Sequence, residues 1–252
     1  MFSWTESRHT VCRFSSSTIL CCLGLSAFLG SCDRFETREV LATVLAVDGK
    51  ATVVHEANAM PAAQVPLLAV GDRLRTERDG KVMVSLVPGA RVVLSRDSEL
   101  EVEELKIHKL GAAVSHAVRA RNAHIRLLRG SICASVVQRR VRPHIRLYVG
   151  TPAGTFEASP GTTFYVRVNE TVTHVACAGG TVSLGSGGDA DAEMLEAGYA
   201  REWEKEKANG LPMQVVRDPN LREEVQNALA AARTSEDLED SRRYIMPGLG
   251  QP

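Results

Sequence analysis

Alternating hydrophobic and polar positions recur through the middle of the chain, and most of these runs end at a glycine or a proline. The clearest run is 162–168, in which Thr162, Phe164, Val166 and Val168 fall on one side of an extended backbone. A period of two residues is typical of a half-buried β-strand. A Pro-Gly pair precedes this run and a Gly-Gly pair follows it, and both pairs are turn signals.

Comparable strand patterns occur on both sides of this run. They cover residues 40–46, 51–54, 81–87, 91–94, 100–105, 125–137 and 145–149. An Asp-Gly pair between the first two predicts a β-hairpin. Strands that recur every eight to twelve residues or so are typical of a sandwich or a roll. We therefore predict an all-β fold of mostly antiparallel strands.

Four segments give a weaker signal. Residues 57–66 are predicted as a loop because Pro61 and Pro66 exclude a central strand. Residues 106–122 fit either a long hairpin loop or a short helix. Residues 185–192, rich in glycine and aspartate, are predicted as a loop. Residues 194–207 fit a strand or a helix equally well.

A C-terminal α-helix is predicted within a helical tail, residues 206–252. Asp218 is a good N-cap and Pro219 suits the first helical position. Leu221, Val225 and Leu229 follow at one-turn spacing and form a narrow apolar stripe. Such a helix most often packs on its own domain, and docking to a partner is the alternative.

The N-terminal 31 residues have the pattern of a signal peptide. A basic start precedes an apolar run, residues 19–29, which is short for a membrane span. Residues 29–32, Leu-Gly-Ser-Cys, resemble the lipobox of bacterial lipoproteins, which implies that Cys32 is lipidated and begins the mature chain. An uncleaved anchor and a conventional signal are the alternatives. We expect residues 32–39 to be a tether, and the protein to face the periplasm, anchored by lipid to a bacterial membrane.

Composition narrows the range of partners. Lysine and arginine balance aspartate and glutamate, so the net charge is zero, and aromatic residues make up 5% of the chain. A neutral chain has no overall attraction to nucleic acid, and few aromatics disfavour a base-stacking surface. We predict no nucleic-acid partner.

Charge is nevertheless distributed unevenly. Residues 105–156 contain no aspartate or glutamate. The arginines of this stretch that form the candidate site are Arg119, Arg121, Arg126, Arg139, Arg140, Arg142 and Arg146. One interpretation is a solvated strand face that the acidic tail balances. The other is a basic face that meets anionic lipid headgroups or acidic cell-wall polymer.

Two cysteines, Cys133 and Cys177, lie within predicted strands of the exported part. In an oxidising compartment they fit either a disulfide or two buried thiols. The sequence leaves both states open, because it does not give the distance between the two Cα atoms.

Motifs that carry chemistry are missing from the sequence. It contains no Gly-x-Ser-x-Gly elbow, no His-Glu-x-x-His and no phosphate-binding loop. The histidines are scattered, and the carboxylates at 189–193 lack the further oxygen ligands of a calcium loop. We predict a protein that is not an enzyme and has no metal or cofactor.

The order of several motifs resembles the FecR-type domain. In chain order they are Val70-Gly71-Asp72, Leu128-Arg129-Gly130-Ser131, Thr151-Pro152, Gly161-Thr162-Thr163-Phe164 and Ala178-Gly179-Gly180. The most specific marks are Thr151, Pro152, Gly161, Thr162 and Phe164. The resemblance implies a FecR-type β domain over residues 40–205, jelly-roll-like and periplasmic.

One departure from the family limits what carries over. Signal-relaying members resemble anti-sigma regulators with a cytoplasmic helical segment and a membrane span, whereas a signal-type segment precedes the β domain here. We therefore expect a non-catalytic binding or scaffold module of the cell envelope, with envelope proteins or an anionic envelope polymer as partners. The alternative is an accessory of envelope signal transduction that passes a stimulus to a separate membrane protein.

Overall fold

The fold is formed by β-strands. The computed structural model describes residues 35–110, 118–138, 144–170, 172–184, 193–204 and 207–214, together with 222, 223 and 226. In chain order the strands are β1 (Phe35–Glu39), β2 (Ala42–Asp48), β3 (Ala51–His55), β4 (Asn58–Pro61), β5 (Leu67–Leu68), β6 (Arg73–Thr76), β7 (Lys81–Val87), β8 (Ala90–Leu94), β9 (Glu99–Leu110), β10 (Val118–Val136), β11 (His144–Thr151), β12 (Gly154–Ala158), β13 (Thr163–Val168), β14 (Val172–Gly179), β15 (Thr181–Leu184), β16 (Glu193–Glu196), β17 (Tyr199–Glu204) and β18 (Lys207–Gln214). A 3-10 turn, Ala62–Gln64, follows β4.

The strands form two sheets that share β10. In the first sheet the order is β4-β3-β6-β9-β10-β11-β12-β15-β16, and β1 pairs with the far end of β9. In the second sheet the order is β5-β2-β7-β8-β10-β13-β14-β17-β18. β10 and β11 are parallel, whereas the other pairs in the described ranges are antiparallel. The prediction of an all-β, mostly antiparallel fold is confirmed. The two sheets are continuous through β10 and together form one curled sheet.

β10 passes from one sheet to the other at Gly130. Residues 118–129 pair with β9 in the first sheet, and residues 130–136 pair with β8 and β13 in the second. Gly130 has a φ of +81°, and a Cβ there would lie 2.2 Å from Ser98 Oγ. Glycine is the residue that accepts both this backbone conformation and the close approach.

The core lies between the two sheets. Phe156, Leu100 and Leu127 from the first sheet meet Phe164 and Leu94 from the second, all with at most 2% of their surface exposed. Full burial of each such side chain contributes about 1.5–3 kcal/mol. The alternation that predicts the strand at 162–168 corresponds to inward-facing positions, because all four of its same-side residues are buried.

The ambiguous segments are resolved wherever the structure describes them. Within residues 106–122, β9 continues to Leu110 and β10 begins at Val118, so a helix is not formed in the described part. Residues 193–204 are two strands, β16 and β17, with Gly198 at the turn between them. The region predicted as a loop at 57–66 contains the exposed edge strand β4, which ends at Pro61.

Strand structure extends beyond the predicted limits of the β domain at both ends. β1 falls within residues 32–39, the segment expected to be a tether. Its backbone is nevertheless part of the first sheet, since it pairs with residues 106–110 of β9. β18 lies beyond residue 205 and pairs with β17. The predicted loop at 185–192 lies outside the described residues, as does nearly all of the C-terminal helix, which stays a prediction. Among the described residues no helix is long and apolar enough to cross a membrane.

Candidate functional site

The outward side of the first sheet carries a ladder of ion pairs centred on β9. Glu99 accepts hydrogen bonds from Arg75 on β6, at 2.9 Å, and from Arg129 on β10, at 3.3 Å. Beside it, Arg73 Nε lies 3.2 Å from a Glu101 oxygen. Opposite-charge neighbours across strands stabilise a sheet and fix the positions of the side chains.

Glu99 is the most constrained member of the ladder. Its side chain is 10% exposed, while Arg75 and Arg129 are about half exposed. The hydrogen bond from Arg75 lowers the pKa of Glu99, and burial opposes this shift without overcoming it. The carboxylate therefore stays charged and holds two guanidinium groups in fixed orientations.

The ladder continues toward β11 and β12. Arg126 Nε lies 2.6 Å from a Glu103 oxygen. Further along, Arg146 Nε lies 3.6 Å from Glu157 on β12, and Arg146 also contacts the hydroxyl of Tyr148, at 3.4 Å. These contacts raise the pKa of Arg146, the Tyr148 hydrogen bond being the largest cause.

We call the five outward arginines of the first sheet, Arg73, Arg75, Arg126, Arg129 and Arg146, the arginine face. Each is between 50% and 59% exposed at its side chain although each is ion-paired. A guanidinium has five N–H donors, and one carboxylate contact occupies only part of them. The arginine face can therefore recognise carboxylates, carbonyls or phosphates through donors that are already oriented.

The arginines predicted from the sequence do not form one group. Arg126 and Arg146 belong to the arginine face. Arg121 instead donates from Nη1 to the carbonyl oxygen of Pro88, at 2.6 Å, and Arg119 is exposed near the start of β10. Arg139, Arg140 and Arg142 lie outside the described residues, and anionic-surface binding by the set stays a prediction.

Three members of the arginine face were not among the predicted site residues. Arg73 and Arg75 precede the acid-free stretch, and they join Arg126 and Arg129 only because β6 and β10 flank β9. The sequence signal that could have found Arg73 and Arg75 is that arginines recur every second residue on β6, as glutamates do on β9. The carboxylates that pair with the arginine face come from β9 and β12.

A second polar contact, missed by the sequence analysis, joins β3 to the turn before β6. Asp72 is buried, and one carboxylate oxygen accepts from the backbone N–H of Ala69, at 2.7 Å. The other oxygen contacts Nδ1 of His55, whose side chain is about half exposed. The hydrogen bond and charge of Asp72 raise the pKa of His55.

The two cysteines do not pair. Both are free and buried. Cys177 points into the main core, whereas Cys133 faces outward on the second sheet, against Val93 and Met83. The disulfide that the sequence left open would have to join opposite sides of one sheet, so the alternative of two thiols is realised. Burial raises the pKa of Cys133 to about 12 and that of Cys177 to about 11, so neither is a ready nucleophile. Cys32 lies outside the described residues.

The most specific motif residues are structural. Thr151 Oγ1 closes the β11–β12 turn, next to Pro152, by donating to the Gly154 carbonyl at 2.9 Å. Thr162 is buried and donates to the Thr181 carbonyl, also at 2.9 Å. These bonds fix the turns at each end of β12.

Gly161 and Phe164 complete this arrangement. Gly161, at a φ of +87°, donates its N–H to Val136 at 2.8 Å, where the chain passes between sheets. Phe164 then fills the core beside Ala134 and Cys177, its register partners. The described contacts of these motif residues are therefore structural.

Metal chemistry finds no support in the described part of the chain. Within it, no three histidine, cysteine, aspartate or glutamate side chains converge as metal ligands.

Comparison with known proteins gives one family. The model of the family described as FecR protein matches residues 72–183. Two crystal structures, at 1.65 and 2.50 Å, of a protein provisionally described as an anti-sigma factor from Parabacteroides distasonis are similar, with 12% and 13% identity and TM-scores of 0.40. Each match covers 56% of this chain and 59% of the other, so the similarity spans under two thirds of the solved chains. No curated protein matches the chain.

Proposed function

We propose that this chain, whose residues 72–183 match the model of the family described as FecR protein, is a non-catalytic module of the bacterial cell envelope that binds another envelope protein. The family match is the observation that carries the proposal. Binding another protein would make it a component of envelope signal transduction or a scaffold for an envelope complex.

The chemistry of the described side chains supports binding over catalysis. Both described thiols are held in their neutral form by burial. The His55–Asp72 pair resembles part of a general-base arrangement, but Asp72 is also fixed to the backbone of its own turn. Such a pair stabilises a turn, whereas catalysis needs a nucleophile or a substrate position within reach of the histidine.

The arginine face is the surface we propose for contact. It is outward, polar and held rigid by five ion pairs of 2.6–3.6 Å between the arginines and glutamates of neighbouring strands. Alternating arginine and glutamate gives a surface pattern that a protein with the complementary pattern can recognise. Complementary charge contributes specificity and association rate more than raw affinity.

Anchoring by lipid at Cys32 would place this surface in the envelope. The apolar run and the Leu-Gly-Ser-Cys sequence at 29–32 support this part of the proposal. A lipid anchor tethers a folded domain to a bilayer without inserting it. The partner would then be a membrane or periplasmic protein of the same compartment.

The test is chemical crosslinking in intact envelopes followed by purification of the tagged full chain. We expect one major partner, and we expect its recovery to fall by about tenfold or more when Arg126 and Arg146 are both changed to alanine. Arg38→Ala is the matched control, because Arg38 is also ion-paired, at 2.8 Å, and is 54% exposed but lies on β1. Equal recovery from all three proteins would overturn the assignment of this surface.

An anionic lipid or wall polymer is the second candidate partner, favoured by the acid-free stretch at 105–156. Pairing of the arginine face with glutamates opposes it, since it removes most of the net positive charge. Co-sedimentation with phosphatidylglycerol vesicles and with purified sacculi separates the two candidates. Binding that disappears as salt rises would favour the polyanion, because screening weakens exposed charge interactions.

A further inference from the structure

The outward side of the second sheet carries a continuous apolar row. Successive register partners along it are Met83, Val93, Cys133, Tyr165, Ala176 and Ala200, from β7, β8, β10, β13, β14 and β17. We call these six residues the outer row. Met83, Val93, Cys133, Tyr165 and Ala176 alternate along their strands with residues of the main core, so the outer row faces away from that core.

Five residues of the outer row are nevertheless hidden from solvent, and Met83, at its end, is half-buried. Cys133, Tyr165 and Ala176 are 6%, 5% and 0% exposed, and Val93 and Ala200 are similar. Arg91, outward on β8 next to Val93, is also only 3% exposed. On the outward side of the first sheet, by contrast, the five side chains of the arginine face are each at least 50% exposed. One outward side is thus open, and the other is covered.

The C-terminal segment is positioned to be that cover. Every described strand is part of one of the two sheets, so the cover is not one of these strands. The chain leaves the second sheet through β18, where Met213 is the register partner of Ala200, at the end of the outer row. The N-terminal end enters through β1, which pairs in the first sheet. Of the two ends of the chain, the C-terminal one therefore begins beside the outer row.

The pattern of that segment suits the outer row. The apolar stripe Leu221, Val225 and Leu229 lies on one side of the predicted helix. The described residues Arg222, Glu223 and Gln226 have helical backbone and are exposed, and on a helical wheel they fall outside the stripe. One side of the segment is thus in water and the other is apolar.

Length and charge agree as well. Residues 219–232 as a helix span about 21 Å, and the five strand spacings from Ala200 to Met83 amount to about 24 Å. Acidic residues outnumber arginines within residues 218–232: Asp218, Glu223 and Glu224 against Arg222. The outward cations beside the row include Lys81 and Arg91.

We propose that residues 218–232 lie as a helix across the outward side of the second sheet, with Leu221, Val225 and Leu229 packed on the outer row. The helix would thus cover this side of the domain by an intramolecular contact. The first sheet is then the side left open for a partner, and a second protein reaches the outer row only by displacing the helix.

Cys133 is a natural reporter of this contact, because it lies in the middle of the outer row while Cys177 lies in the core. We expect alkylation of Cys133 in the folded full chain to be slow, and to become about tenfold faster or more in Val225→Asp, which opens the contact locally. Gln226→Asp, on the exposed side of the same segment, is the matched control and should leave the rate unchanged. Peptide mass spectrometry reads the two cysteines separately, and slow labelling of Cys177 shows that the domain is still folded.

If Val225→Asp unfolds the domain and so exposes both Cys133 and Cys177, a crosslinking variant provides a second test. In Val225→Cys, a short bismaleimide should join residue 225 to Cys133 within one chain, whereas Gln226→Cys should give no such product. Rapid labelling of Cys133 in the unaltered chain would mean that the row is open to an external partner, and a crosslinked dimer would mean that a second copy covers it. Either result, or absence of the 225–133 product, overturns the proposal.

Discussion

At the residue scale, Asp72 shows how a motif residue can be structural and still create a titrating contact. Its carboxylate accepts from Ala69 N–H, and its backbone carbonyl accepts from Val102 N–H at 3.0 Å, which ties the turn to β9. The oxygen directed at His55 adds a charged pair that reaches solvent. The turn and the pair therefore act together to hold β3 against the first sheet.

The pair predicts a specific pH dependence. Asp72 raises the pKa of His55 above its ordinary value of 6.5. The pair therefore stabilises the folded protein most at pH values below 6.5, where His55 is protonated in both the folded and the unfolded state. This stabilisation is lost as the pH rises through the pKa of His55 in the folded state. His55→Ala should thus lower the free energy of unfolding more at about pH 5.5 than at about pH 9, as measured by urea denaturation. The exposed His144, changed to alanine, is the control. An equal effect of His55→Ala at both pH values would contradict the role of the pair.

The charges illustrate what can be predicted from residues alone. The acid-free stretch is visible in the sequence, and two of its arginines, Arg126 and Arg146, do lie on one outward side. Their partners are not visible, because Glu103 and Glu157 reach them only through the register of β9, β10, β11 and β12. Among the described residues the counter-charges of the arginine face come from neighbouring strands, and balance by the acidic tail stays a prediction.

At the scale of the element, β10 determines the architecture. It is 19 residues long and belongs to both sheets, with Gly130 at the change from one to the other. The left-handed backbone at Gly130 redirects the strand, and Ser98 packs directly against the glycine. Ser98 Oγ accepts from Ser131 N–H at 2.8 Å, which fixes the crossing.

Comparison of Gly71 with Gly130 distinguishes the cost of a strained backbone conformation from the cost of a steric clash. Gly71 and Gly130 have φ of +90° and +81°, but a Cβ at Gly71 would meet nothing within 4 Å. Gly71→Ala should cost about 1–2 kcal/mol through its backbone conformation alone. Gly130→Ala should cost about 1–3 kcal/mol more, because the backbone of Ser98 must move. Chemical denaturation of both variants measures the difference, and equal losses of stability would show that β10 crosses between sheets without depending on this contact.

The β-strands could be predicted from the sequence where only one side of the strand is buried. In β7 the inward positions Val82, Val84 and Leu86 alternate with polar or half-exposed ones, and the period of two is visible in the sequence. Residues 106–109 of β9 are half-buried on both sides, because this end of the strand extends past the core and pairs with β1 and β10. Without a buried side the alternation vanishes, and the segment could not be distinguished from a loop or a helix.

At the scale of the whole molecule, the two outward sides differ in character. The first sheet presents charged, half-exposed side chains, and the second hides an apolar row. The two sides were not predictable, because each combines residues from strands that are distant in sequence. The short alternating runs specify only which residues point inward, and the register between strands then determines which outward residues become neighbours.

The proposed anchor determines how this body is held at the membrane. β1 begins at Phe35, three residues after Cys32, so at most about 10 Å of chain separates the lipid site from the first strand. The sequence predicts a longer tether, residues 32–39, but pairing of β1 with β9 shortens it. A lipidated chain would therefore keep its folded domain close to the bilayer, with the β1–β9 pair nearest to it.

Changing Cys32 to alanine tests this arrangement. Without the thiol no lipid can be attached, and each buried methylene of the lost chains removes about 0.8 kcal/mol of membrane affinity. We therefore expect Cys32→Ala to move from the membrane fraction to the soluble or unprocessed fraction, with mass spectrometry showing an unmodified N-terminus. Cys22→Ala, in the apolar run of the predicted signal peptide, should stay membrane-bound and lipidated at Cys32. An unaltered chain whose mature N-terminus is unmodified at another residue would end the lipoprotein proposal, and with it the close approach of β1 to the bilayer.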